Sequence, residues 1–160
     1  MDALLAVFAG LFALTLVLFV LRRTVLIPVK VPTASMVPAI MPGDMLLAVR
    51  LYRPLNVRKG QILLFYKMDR LLIKRLHGGP GDVVVLPCPS KGPQAKAVKE
   101  GSEGPSLIFR VPVDSYLFLG DHKACSEDAR HWTDPYVRSA DVLARAQWVL
   151  WPLRRFGKLQ

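Results

Sequence analysis

The chain has 160 residues, the length of one domain or of one domain plus an anchor. Gly and Pro account for 24 of them and charged residues for 21%, which excludes a collagen-like or disordered chain. The formal net charge is +10 and the mean hydropathy is +0.30, high for a purely soluble domain, so the location of the apolar residues decides the class.

They are concentrated at the start. Ala3 to Leu21 is a run of 19 residues with no charge and one hydroxyl, Thr15. As a helix it spans about 28 Å, close to the hydrocarbon thickness of a bilayer. A cleaved export signal would begin with basic residues, carry a shorter apolar core and end in a small-x-small site. Here Met1-Asp2 precedes the run and Arg22-Arg23 follows it, so it reads as an uncleaved anchor. A run apolar on all faces does not suit a core helix in so small a protein. The predicted organisation is a membrane anchor over 1–23, with a transmembrane helix at about 3–21. A single domain follows over 24–160. The flanking charges are Asp2 and the amine before the run, and Arg22, Arg23 and Lys30 after it. By the positive-inside rule they place that domain in the cytoplasm.

After the anchor, Thr24 to Val31 is predicted as a strand, and Pro28 and Pro32 favour an edge. Met45 to Leu51 follows the turn Pro42-Gly43-Asp44. Gln61 to Lys67 and Arg70 to Leu76 form a hairpin candidate about Met68-Asp69. Asp82 to Leu86 follows a glycine-rich turn. Residues 87–105, rich in Pro, Gly, Lys and Ser, are predicted as a long loop or small subdomain. Leu107 to Val111, Tyr116 to Leu119 and Gln147 to Trp151 are further strands, and Ser139 to Arg145 is a helical turn or a loop. Short β-runs without a long amphipathic helix predict a mainly β domain.

All 22 Lys and Arg, but only 11 of the 12 acidic residues, lie after residue 21, which leaves the domain at +11. Such a charge suits nucleic acid or lipid headgroups. The basic residues are scattered in pairs such as Arg58-Lys59, Lys74-Arg75 and Arg154-Arg155, with no zinc-finger spacing. Beside an anchor, membrane lipids are the expected partner and nucleic acid is not. Cys88 and Cys125 either pair in an exported domain or stay as two thiols, and no metal site is expected.

Three places could carry chemistry. Ser35 lies between Pro32 and Pro38 among small and apolar residues, a setting for an exposed turn hydroxyl that needs a base to act. On a strand Lys74 shares its face with Leu72 and Leu76. Desolvation there lowers a lysine pKa toward a usable base, whereas a snorkelling lysine stays charged in solvent. In the run 120–130, Asp128 and Arg130 are two apart and would share a face of an extended strand, with Ser126 two residues before. His77, His122 and His131 sit in no recognisable triad motif.

Together these segments resemble the type I signal peptidases, the serine/lysine endopeptidases of bacterial and mitochondrial inner membranes. The resemblance rests on four boxes in order after an anchor: P-T-A-S-M-V-P-A-I (32–40), P-G-D-M-L-L-A-V (42–49), I-K-R-L-H-G-G-P-G-D-V-V (73–84) and G-D-x-x-x-x-S-x-D-x-R (120–130). A closing W-P-L-R-R-F-G (151–157) adds to it. It implies a signal-peptidase-like antiparallel β catalytic domain with no cofactor. Ser35 would be the nucleophile and Lys74 the general base. Thr33 and the Ser35 backbone N–H would form the oxyanion hole, Ser126 would orient the lysine, and Asp128 and Arg130 would prop the site. The substrate would be exported precursor proteins, cut after small residues of the Ala-x-Ala type. They would bind as an added strand against Val29, Val31 and Pro32 on one side and Leu72 and Ile73 on the other, with Met36 and Ile40 closing the pockets. The apolar run Val31, Met36, Val37, Ile40 and Met41 is expected to dip into the bilayer surface.

The resemblance also implies a single-pass protein of the plasma membrane, or secondarily of the mitochondrial inner membrane, with its domain on the export side, against the flanking charges. Two departures stand out: His122 replaces an Asn after Gly120-Asp121, and Ala129 replaces a Ser between Asp128 and Arg130. A narrower maturation peptidase for pilin or conjugation factors, and an inactive membrane-bound binder of peptide or lipid, are the competing readings.

Overall fold

The structure, a computed structural model, describes residues 2–52, 56–87 and 106–159, with side chains in the first helix described for 6–20. Helix α1 (Asp2–Thr24) runs into β1 (Leu26–Lys30). Then come β2 (Met45–Arg50), β3 (Ile62–Lys67), β4 (Arg70–Gly78), β5 (Val83–Pro87), β6 (Ser106–Arg110), β7 (Ser115–Leu119), β8 (Tyr136–Arg138), β9 (Val142–Trp151) and β10 (Gly157–Lys158). All described pairings are antiparallel. The main sheet runs β1-β2-β9-β3-β4-β7-β8, with β10 on the end of β9, and β5 and β6 form a separate ribbon. Among the described residues the fold is mainly antiparallel β with one α-helix, and the β-rich domain is as the sequence predicts.

The β3–β4 hairpin turns on Met68 and Asp69, both at positive φ (50° and 58°), the conformation that a tight two-residue hairpin loop needs. Strand β3 reads I-L-L-F without alternation because both its faces are covered. Leu63 and Phe65 enter a core with Leu76, Phe118, Trp132 and Val137, while Ile62 and Leu64 enter a second with Val31, Met36, Ile40 and Val149. The rings of Phe65 and Phe118 stack at 4.2 Å.

Several elements differ from expectation. Strand β9 begins at Val142, and only Ser139–Asp141 of the expected turn is a 3-10 helix. Small residues hid its first half: Ala144 and Ala146 are buried between β2 and β3, but alanine carries little strand propensity. Strands β8 and β10 are too short for a periodic signal. Strand β1 starts later than expected because α1 continues to Thr24. Of the expected 87–105 loop, Pro87 closes β5 and the remainder lies outside the described residues.

The described side chains of α1, residues 6–20, are all exposed. Among the described residues no helix is long and apolar enough to cross a membrane, and the described run of 15 side chains falls short of the usual ~20. Cys125 carries a free, exposed thiol, while Cys88 lies outside the described residues.

Candidate active site

Lys74 lies mid-way along β4, opposite Leu63 of β3, and is only 4% exposed. Burial pulls its pKa below the ordinary lysine value, against an opposing pull from the Asp128 carboxylate. Its Nζ donates to Ser126 Oγ at 3.0 Å, and Ser126 Oγ donates onward to Asp128 Oδ2 at 2.7 Å. The sequence leaves open whether Lys74 snorkels to solvent; in the fold its partner is a buried hydroxyl.

Asp128 is fully buried and densely ligated. It accepts from the Gly120 N–H at 2.7 Å and from Arg130 Nε and Nη2 at 2.8 and 2.6 Å. Burial alone would raise its pKa, but the Arg130 guanidinium, the Gly120 N–H and the Ser126 hydroxyl outweigh it and hold the carboxyl below its usual range. The Asp128–Arg130 pairing is as expected, but its geometry is not: the residues lie in a turn, where the Asp128 carbonyl accepts the N–H groups of His131 and Trp132.

Ser35 sits on the turn after Pro32 and is 8% exposed. Its carbonyl oxygen accepts the His122 N–H at 3.1 Å, which ties this turn to the loop after β7. Thr33 Oγ1 lies 3.5 Å from Ser35 Oγ. Ser35 and Lys74 line the same cavity, of about 650 Å³. Val29, Val31, Pro32, Thr33 and Met36 also line it, as do Leu72 and Ile73. Ile40 does not: it is fully buried in the second core. Its neighbours correct the expected membrane-dipping run in the same way. Val31 and Met36 are buried too, Val37 is half-buried, and only Met41 is exposed. They are core because the turn bearing Ser35 folds back onto β2 and β9.

No histidine lines this cavity. His77 borders a different one, of about 730 Å³, together with Arg75, Gly120 and Asp121; it contains neither Ser35 nor Lys74. Among the described residues no cluster of His, Cys, Asp and Glu could hold a metal ion.

Three residues of the quoted boxes position the site in ways the sequence does not indicate. A Cβ on Gly120 would collide with Ser126 and with the Ser35 carbonyl, so only glycine fits between them. Asp44, 1% exposed, accepts the Met41 N–H at 2.9 Å and Arg155 Nε at 3.1 Å. Arg155 also donates to the Ala39 carbonyl, which fastens the far end of the Ser35 turn. Pro42-Gly43-Asp44 signals a turn locally, but nothing in the sequence links Asp44 to a residue 111 positions away.

A family model described as "Signal peptidase, peptidase S26" matches residues 4–88 and 89–151. The chain is 31% identical over 143 residues to a protein of Synechocystis named "Probable signal peptidase I-2", covering 81% of this chain and 65% of that one. It is 28% identical over 148 residues to "Signal peptidase I" of Leptolyngbya laminosa (81% and 70%) and 23% over 209 to that of Pseudomonas fluorescens (92% and 73%). The chain thus spans about two thirds of the length of the first two of these relatives.

Proposed function

Because the chain belongs to the signal peptidase family of serine hydrolases, peptidase S26, we propose that it removes signal peptides from exported precursors with a Ser35–Lys74 dyad. What carries the reading is Lys74: a buried amine of lowered pKa, hydrogen-bonded to Ser126, on the wall of the cavity that also holds Ser35.

The chemistry follows from those positions. Neutral Lys74 takes the Ser35 hydroxyl proton as Oγ attacks the scissile carbonyl carbon. The oxyanion forms against the Ser35 N–H and the Thr33 hydroxyl. Collapse breaks the C–N bond, and the Lys74 ammonium gives its proton to the leaving amine. Lys74 then takes a proton from water as its oxygen attacks the acyl ester carbon; collapse breaks the ester C–O bond, and the Lys74 ammonium returns that proton to Ser35 Oγ. Asp128 and Arg130 hold Ser126, and Ser126 aims the amine. An extended precursor lies between Val29–Pro32 and Leu72–Ile73, where Val31 and Met36 leave space for small side chains only.

Helix α1 anchors the protein in the membrane. Its 23 residues reach about 34 Å, and the side chains described along it, such as Phe8, Phe12 and Val17, face outward. The catalytic domain lies on the export side of the plasma membrane, since precursors are cut after crossing. Three flanking cations are a weaker guide, because the positive-inside rule is a bias with exceptions.

The test is cleavage of an Ala-x-Ala precursor by the full chain beside Ser35→Ala. Site-specific cleavage lost in Ser35→Ala supports the reading; no cleavage by the parent chain, or cleavage that survives the substitution, refutes it.

A further inference from the structure

Arg58 ahead of β3, Arg145 of β9 and Lys158 of β10 meet at a cavity of about 550 Å³ that shares no lining residue with the Ser35–Lys74 cavity. Among the described residues its lining carries five cations, these three with Lys59 and Arg75, and no carboxylate. Two are already committed: Lys59 to Asp82 at 3.0 Å and Arg75 to Asp121 at 2.7 Å. The other three meet no carboxylate among the described residues. Among the described residues the Arg145 guanidinium reaches a neutral group, the Gln147 side-chain oxygen, at 3.0 Å with that amide turned to accept.

Like charges drawn together in a concave wall repel one another, and they focus a positive potential that an anion relieves. Two guanidiniums and an ammonium match a phosphate, which guanidinium forks bind in bidentate fashion. The register says where that phosphate comes from. Leu26, two residues past the end of α1, pairs with Val49, and Val49 pairs with Arg145. Two strand spacings make that about 10 Å. The Arg145 wall of the cavity therefore lies two strands from the strand that continues α1.

We propose that this cavity binds the phosphate of an anionic phospholipid headgroup through Arg58, Arg145 and Lys158. The inference rests on α1 being a membrane anchor, and it gives the domain a second, polar attachment to the bilayer surface.

The test uses the full chain in neutral detergent micelles, titrated with dioctanoylphosphatidylglycerol, dioctanoylphosphatidylcholine or glycerol phosphate, with bound ligand read by native mass spectrometry. Phosphatidylglycerol should bind best, and Arg145→Gln with Lys158→Gln should weaken it by roughly tenfold or more. Arg58→Gln with Lys158→Gln, both at exposed positions, should do the same and covers the case in which the Arg145 change disturbs β9. Arg110→Gln with Arg138→Gln removes equal charge from β6 and β8 and should leave binding unchanged. Unaltered affinity in the folded cavity variants, or an equal loss in the β6/β8 pair, overturns the site. Glycerol phosphate binding as tightly as the lipid overturns the headgroup as its ligand. Cleavage of a soluble Ala-x-Ala peptide should stay intact in every variant, and carbonate extraction reports on α1 separately. A failed lipid site, a failed peptidase and a failed anchor therefore give different results.

Discussion

Gly120 lies so close to Ser126 that a Cβ on it would stand 2.0 Å from Ser126 Oγ, and 2.6 Å from the Ser35 carbonyl oxygen. One backbone position thus separates the turn that carries the proposed nucleophile from the hydroxyl that holds the proposed base. Gly120→Ala should push both apart. Overpacking of this kind costs about 1–3 kcal/mol, and a displaced reacting group can cost on the order of a hundredfold in kcat. Chemical denaturation and single-turnover cleavage read the two effects; a variant of parental stability and rate would mean that the contact has no role.

Asp128→Asn leaves the Arg130 guanidinium, 8% exposed, without its counter-charge. Breaking one side of a buried pair costs about 3–5 kcal/mol. The pH dependence follows from the depressed carboxyl. The stabilisation is complete above the unfolded value of about 3.9 and drains away as the pH falls through the lower folded value. Melting curves between roughly pH 2 and 6 should slope downward toward acid in the parent chain and lose that part of the slope in Asp128→Asn. Identical slopes would contradict the assignment.

Lys74→Met should be inactive yet melt higher than the parent at pH values low enough to keep Lys74 charged. The folded lysine pKa lies below its unfolded value of about 10.4, so between the two the unfolded chain binds more protons and stability rises with pH. Below that window the cost of burying the ammonium is present in full. Removing it should raise the melting temperature. A lower melting temperature would mean that the bond to Ser126 outweighs desolvation.

Thr33→Val should lower kcat by about a hundredfold or more with little change in KM, the signature of one lost oxyanion donor. Thr33→Ser should retain most activity. Near-parental kcat in Thr33→Val would make its hydroxyl structural, leaving the Ser35 N–H as the donor.

The β-rich fold was legible where strands carry apolar runs between Gly and Pro turns, as in β3 and the hairpin at Met68-Asp69. It was illegible in the first half of β9, where the buried Ala144 and Ala146 send no propensity signal. Ser35, Lys74, Ser126, Asp128 and Arg130 were candidates by type and spacing, but their roles came only from the ordered boxes that resemble the family. Asp44, Gly120 and Arg155 did not stand out, since their importance comes from contacts across the chain. Ile40 shows the converse error: an apolar residue near the nucleophile belongs to the core because its turn folds back onto the sheet.

The pH dependence of kcat/KM for precursor cleavage, measured for the parent chain beside Lys74→Arg, tests the dyad most directly. A lysine desolvated in the cavity must lose its proton to act, so kcat/KM should rise with pH on a limb well below the unperturbed value of about 10.4. Lys74→Arg, whose guanidinium stays charged, should show no turnover at any pH. A limb at about 10 or above, or substantial turnover by Lys74→Arg, would contradict Lys74 as the base.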